Sequence, residues 1–290
     1  MSGKALPGVV TVPINRDDVF DTVTYVADCM GIWVGDLVTI GSTGKADISG
    51  DVDLIVDITK FDPEQIHNHM LGLLGHERCF FNKGTSIGSY AAPIAGITTN
   101  DLVQVDVMFV PNMEWAKFSF FSTGGIGTEH KGVIRNVLLQ SVAGTLDVPG
   151  IDLTVYDDES QFPYIKIKRG MDINRGFRRI IQHNPKKKRG NAYTATPVSI
   201  SMEDLMSTYP TIDFSNLMEY PTIFNPEDAL QEMFGFPVKR EEVNTAEQVV
   251  LLINKLPHDR KSVVRERCIK NLHETAKYTD IQIITLLGIV

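Results

Sequence analysis

Apolar positions in the first half of the chain switch between a helical and a strand period. Within 16–31, Val19, Val23, Val26, Ala27 and Met30 fall on one face, which predicts a helix stopped by Gly31. Residues 37–40 predict a short strand broken by Gly41-Ser42. Over 51–58 acids alternate with aliphatic residues, the period-two pattern of a strand. Asp62-Pro63-Glu64-Gln65 then predicts a helix start, with Asp62 as N-cap, Pro63 at the first position and Gln65 closing a capping box. That helix should run to about Glu77, followed by strands over 102–110 and 116–121, a glycine-rich loop over 122–127 and a helix over 129–143.

The texture changes beyond Pro149. Strands are expected over 151–156 and 164–168, flanking the acidic turn Asp157-Asp158-Glu159, and an exposed basic loop over 184–195. Helices are expected over 202–206, 226–234 (with Asn225 as N-cap), 245–256 and 260–277, the last placing Val264, Cys268, Leu272 and Ala276 four apart. No internal repeat is visible. The chain therefore divides into an α/β half, 1–148, and a mixed, more helical half, 149–290.

Composition narrows the class. With 290 residues, 43% apolar and 22% charged, the chain is globular rather than disordered. No apolar run reaches the roughly 18–20 residues of a membrane span, so no membrane partner is expected. Met1-Ser2-Gly3-Lys4 has no apolar block behind it, which argues against a secretory signal. Cys29, Cys79 and Cys268 form no Cys-x-x-Cys pair, so they read as reduced thiols in a cytoplasmic protein, with Cys29 and Cys268 in the core. The net charge of −8 argues against a general nucleic-acid coat. Yet 166–189 collects Lys166, Lys168, Arg169, Arg175, Arg178, Arg179, Lys186, Lys187, Lys188 and Arg189 against the single carboxylate Asp172. Arg178, Arg179 and Lys186 to Arg189 are the candidates for nucleic-acid contact, against the plainer alternatives of a solvated loop or a nuclear signal.

The segment with the most chemical content is Gly41-Ser42-Thr43-Gly44-Lys45, followed by Asp51-Val52-Asp53-Leu54. On a strand Asp51 and Asp53 share a face, their roots roughly 6–7 Å apart, a gap suited to hard divalent cations. A third acid, Asp106, sits inside the apolar run Leu102-Val-Gln-Val-Asp-Val-Met-Phe109. Burying an unpaired carboxylate costs several kcal/mol, so Asp106 needs a partner, a metal or an exposed face. Three acids beside a Gly-Ser turn are what two-metal phosphoryl transfer requires.

On Gly41-Ser42, Asp51-Val-Asp-Leu54 and Asp106 the sequence resembles the DNA polymerase β-like nucleotidyltransferase superfamily. Together with Glu114-Trp-Ala-Lys-Phe118 and His130-Lys-Gly-Val-Ile-Arg-Asn136, it is most similar to the small nucleotidyltransferases of tailed phages. The resemblance covers about residues 37–140, with a spacer of eight residues between Ser42 and Asp51, slightly shorter than the superfamily's usual one. It implies an α+β fold: a nucleotidyltransferase-type mixed sheet with flanking helices, followed by a mixed, more helical domain that covers the base and selects the acceptor. It also implies a Mg²⁺-dependent enzyme, cytoplasmic (in the host, if phage-encoded), that moves an NMP from an NTP to an acceptor hydroxyl and releases pyrophosphate. Asp51, Asp53 and Asp106 would bind two Mg²⁺ ions, and Asp106 would serve or orient the base. Gly41 and Ser42 would meet the triphosphate, with Lys45, Lys131 and Arg135 as further phosphate contacts. An RNA end, such as a tRNA-like terminus, is the first choice of acceptor, ahead of AMP transfer to a protein or a small molecule. The rivals are a catalytically inactive binding or phage accessory protein on the same fold, and a nucleic-acid-binding module run by the basic segment.

Other features read as structural. His67 and His69 are two residues apart on a helix, so they point away from each other and read as surface residues. Ser122-Thr-Gly-Gly-Ile-Gly127 lacks the Lys-Ser/Thr ending of a P-loop and reads as a turn. Asp57 lies about 13 Å beyond Asp51 and reads as a strand-end residue. Trp33 and Trp115 read as core.

Overall fold

A computed structural model of the chain describes residues 5–125, 128–146, 155–156, 163–172, 174–183, 188–189, 192–193, 198–199, 201–208, 210, 213–214 and 221–288. They form two compact units, Met1–Asn136 with Arg240–Val249, and Val137–Lys239 with Val250–Val290.

The first unit is built on a five-stranded mixed sheet. Its elements in chain order are β1 (Ile14–Asn15), α1 (Arg16–Met30), β2 (Val38–Thr39), β3 (Ile48–Ser49), β4 (Val52–Asp57), α2 (Pro63–Leu74), β5 (Cys79–Asn82), β6 (Ile87–Pro93), β7 (Leu102–Val110), α3 (Met113–Ser119) and the start of α4 (Gly132–Ala143). The sheet order is β2-β4-β7-β6-β5, with β4 and β7 parallel and the other neighbours antiparallel. Alternation sorts the side chains. Val52, Leu54 and Val56 of β4 and Val103, Val105, Val107 and Phe109 of β7 enter one core with Val19, Val23, Val26 and Met30 of α1 and Ile66 and Met70 of α2. The opposite face carries a smaller cluster of Ile40, Ile55, Met108, Val110 and Ala116. Both helices end as their sequences direct: Gly31 is left-handed after α1, and the Asp62 carboxylate accepts from the amides of Glu64 and Gln65 at the start of α2.

The structure departs from the predicted elements at several points. Residues 116–121, expected as a strand, lie largely in the helix α3, which Asn112 caps by accepting from the Trp115 amide. Strands β5 and β6 were not expected; Gly88, Ser89, Tyr90, Ala91 and Ala92 are all buried, so β6 carries no polar–apolar alternation to read. Trp115 is buried as expected, but Trp33 is 72% exposed, its ring lying over Gly35, where an added Cβ would meet it at 2.1 Å. His67 is half-buried against the rings of Phe81 and Tyr90 rather than at the surface, while His69 is exposed.

In the second unit a hairpin of β9 (Pro163–Asp172) and β10 (Gly176–His183) is flanked by β8 (Val155–Tyr156) and β13 (Val198–Ser199) in a four-stranded antiparallel sheet. Within the expected basic loop, β11 (Lys188–Arg189) pairs with β12 (Ala192–Tyr193). Helices follow at α5 (Met202–Thr208), α6 (Pro226–Phe234), α7 (Ala246–Asn254), α8 (His258–Glu274) and α9 (Asp280–Leu287). Asn225 caps α6 as expected, and Val264, Cys268 and Leu272 line the buried face of α8. Residues 151–154 and the turn Asp157-Asp158-Glu159 lie outside the described residues. Among the described residues no helix is long and apolar enough to cross a membrane.

Candidate functional site

The sheet places two of the three predicted acids side by side. Because the alternate residues of β4 and β7 fill the core under α1 and α2, Asp53 and Asp106 emerge on the other face. Their parallel register sets Asp53 directly opposite Asp106. Asp51 lies one residue before β4 rather than within it, as the alternation had suggested. All three are half-buried.

Their electrostatics register the crowding. Burial, then the charges of Asp51 and Asp106, push the Asp53 carboxyl up to about 7. Asp51 is raised too, by burial and then by Asp106. Asp106 is held on its flanks: Ser89 Oγ donates to Oδ1 at 2.6 Å, and Gln104 Nε2 donates to Oδ1 at 3.0 Å and to Oδ2 at 2.8 Å. Ser89 and Gln104 are only 4% and 3% exposed. Sequence reasoning missed both. Gln104 left a signal, a polar residue two before Asp106 in an apolar run; Ser89 sits on a strand that was not expected.

The Gly-Ser turn closes on the same carboxylates. Gly41 has φ +61°, donates its amide to the Phe120 carbonyl at 3.0 Å, and stands so near Asp53 that an added Cβ would lie 2.7 Å from Oδ2. Buried Thr43 accepts from the Asp53 amide at 2.9 Å, which locks the turn to β4. The Ser42 carbonyl accepts from the amides of Lys45 and Ala46. Gly41→Ala would combine a left-handed non-glycine residue with that clash. It is expected to cost about 1–2 kcal/mol in urea unfolding and to reduce any activity of the site more than about tenfold.

The other predicted phosphate contacts are placed differently. Lys45 donates Nζ to the Ser122 carbonyl at 2.7 Å and lies 5.0 Å from the Phe121 ring centroid, so it fastens the glycine turn to the 121–124 loop. Lys131 precedes α4 and is exposed. Arg135 does not share that setting: it is 1% exposed, with its Nε donating to the Val243 carbonyl and its Nη1 to Phe118 O at 3.0 Å and Asn136 Oδ1 at 2.8 Å. The guanidinium stacks on Phe118 at 4.5 Å. Expected to face a triphosphate, Arg135 instead braces α3 and the returning segment 240–249, because its guanidinium is buried with Nε and Nη1 turned onto those acceptors, while Nη2 has no hydrogen-bond partner among the described residues. Asp57 caps its own strand end, its Oδ1 accepting from the amide and hydroxyl of Thr59.

The basic segment belongs to the second unit. Arg178 pairs with Asp172 at 2.9 Å, and buried Arg169 pairs with Glu232 at 2.5 Å over the Phe177 ring. Arg179 stands opposite Arg169 in the hairpin and is half-buried. Arg175 is exposed at the hairpin turn. Lys188 and Arg189 form β11, and Lys186 and Lys187 lie outside the described residues.

Among the described residues no three His, Cys, Asp or Glu side chains form a ready-made metal cage. The acidic trio therefore does not make one. Its donor set still fits a hard divalent cation: oxygen only, with Asp53 opposite Asp106, and with Asp106 close enough to raise the proton affinity of both Asp51 and Asp53. A scan against protein-family models found no match, and no curated protein matched the chain.

Proposed function

We propose that the protein is a Mg²⁺-dependent nucleotidyltransferase that moves an NMP from a nucleoside triphosphate to an acceptor hydroxyl. The observation that carries this reading is the register of Asp53 against Asp106 with the Gly41 backbone packed on Asp53. Asp51, Asp53 and Asp106 would hold the cations, which when bound supply charge neutralisation at the α-phosphate. Gly41, lacking a side chain, lets the phosphate chain approach the turn, and Ser42 offers it a hydroxyl and an amide. Asp106 would serve or orient the base that takes the acceptor hydroxyl's proton as the oxygen–phosphorus bond forms and the α–β phosphoanhydride bond breaks, releasing pyrophosphate. An RNA end is the favoured acceptor, supported by the concentration of basic residues in 166–189.

The direct test is incubation of the full chain with each α-labelled NTP, Mg²⁺ and, separately, total RNA and protein extract. Label is expected on RNA. Label on protein or on a small molecule would move the acceptor and keep the chemistry, whereas none with any NTP would remove the chemistry.

A further inference from the structure

Asp106 differs from its two neighbours in how completely its oxygens are occupied. An ionised carboxylate has about four lone-pair sites. Ser89 Oγ and Gln104 Nε2 take two on Oδ1, and Gln104 Nε2 takes one on Oδ2. Gln104 is not free to turn its amide over, because its Oε1 accepts from the Ala5 amide at 3.2 Å, which leaves Nε2 aimed at Asp106. A glutamine and a serine buried this deeply in an apolar strand pair need partners for every polar atom, and Asp106 is the partner both have.

We infer that Ser89 and Gln104 are positioning residues that leave Asp106 a single free lone pair, on Oδ2, so that it meets a cation or a hydroxyl proton through that oxygen alone. The inference rests on the nucleotidyltransferase reading and adds to it a selectivity device. A carboxylate restricted to one oxygen suits Mg²⁺, which demands near-octahedral, one-oxygen-per-ligand geometry. It is a poor ligand for Ca²⁺, which readily takes both oxygens of a carboxylate and a larger shell. The cation preference of the site would then be set by two uncharged side chains that never touch the cation.

The test is calorimetric titration of the full chain with Mg²⁺ and with Ca²⁺, for wild type, Ser89→Ala and Gln104→Leu, with thermal unfolding as the check on folding. Freeing a site on Oδ1 is expected to shift the ratio of Ca²⁺ to Mg²⁺ affinity roughly tenfold toward Ca²⁺, the lower end of effects seen on losing partners of metal ligands. A loss of rigidity alone would weaken both ions together and leave the ratio where it was. Should Gln104→Leu not fold, Ser89→Ala carries the same expected shift, since it frees one site on Oδ1 while Gln104 stays in place. An unchanged ratio in a folded variant overturns the role given to Ser89 and Gln104 and leaves the transferase reading standing. A wild-type chain that takes up neither ion overturns both.

Discussion

Asp53→Asn is expected to stop nucleotidyl transfer while leaving the protein folded and, above pH 7, more stable than wild type. The loss should be on the order of 10³-fold or more, because the variant removes a charge from the centre of the cluster that stabilises the transferring phosphoryl group. The gain in stability has a separate cause. Asp53 titrates near 7 in the folded chain, against an ordinary value of 3.8, because it is buried and faces Asp51 and Asp106. Between those two values the folded form holds a proton that the unfolded form has released. Stability therefore falls as pH rises through that window, by up to about 1.4 kcal/mol per pH unit, and the full cost is present above the folded value. Asparagine has the same shape and no charge, so the slope should flatten, leaving only the smaller contribution of Asp51. Thermal unfolding from pH 4 to 8 in chelator checks this. Parallel curves for variant and wild type would mean that the three carboxylates do not share a site. Mg²⁺ should restore wild-type stability above pH 7, since an ion that binds the folded form alone shifts the equilibrium toward it.

Arg135→Met is expected to have the larger effect on folding and little on nucleotide binding. The guanidinium satisfies the carbonyls of Phe118 and Val243 and the side chain of Asn136 in a buried setting. Leaving such acceptors unpaired costs about 1–3 kcal/mol each, partly offset because a buried charge is also removed. A net loss of about 3 kcal/mol follows, or a drop in Tm of roughly 6–12 °C for a unit of this size. Arg135→Lys should recover little of it, since an ammonium cannot reproduce a fork that serves three acceptors on different elements. Residues 240–249 should show the earliest loss of hydrogen-exchange protection, because Val243 loses its partner. A variant that melts with wild type but no longer binds NTP would return Arg135 to the phosphate role.

What was legible in the sequence is what local pattern encodes. Period-two alternation gave β4 and Asp53, although the strand starts only after Asp51, and the lone acid in β7 gave Asp106. The caps at Asp62 and Asn225 were readable because a short polar side chain before an apolar run has one favoured use. Missed features depended on context that spacing does not carry. Strand β6 is small and buried on both faces, so it shows neither period, and with it went Ser89. Asn112 turned the aromatic run of α3 into a helix where β-propensity pointed to a strand. Lys131 and Arg135 are four apart, yet α4 begins only at Gly132, so one is exposed and the other is sealed among carbonyls. Helical spacing says which residues share a face only once the helix bounds are known.

Calorimetric titration of the full chain with each NTP, with Mg²⁺ and then with excess chelator, tests the central claim most directly. A binding heat that requires Mg²⁺ and disappears in Asp53→Asn is the expected result. No heat with any NTP, or binding indifferent to both the cation and Asp53, would contradict it.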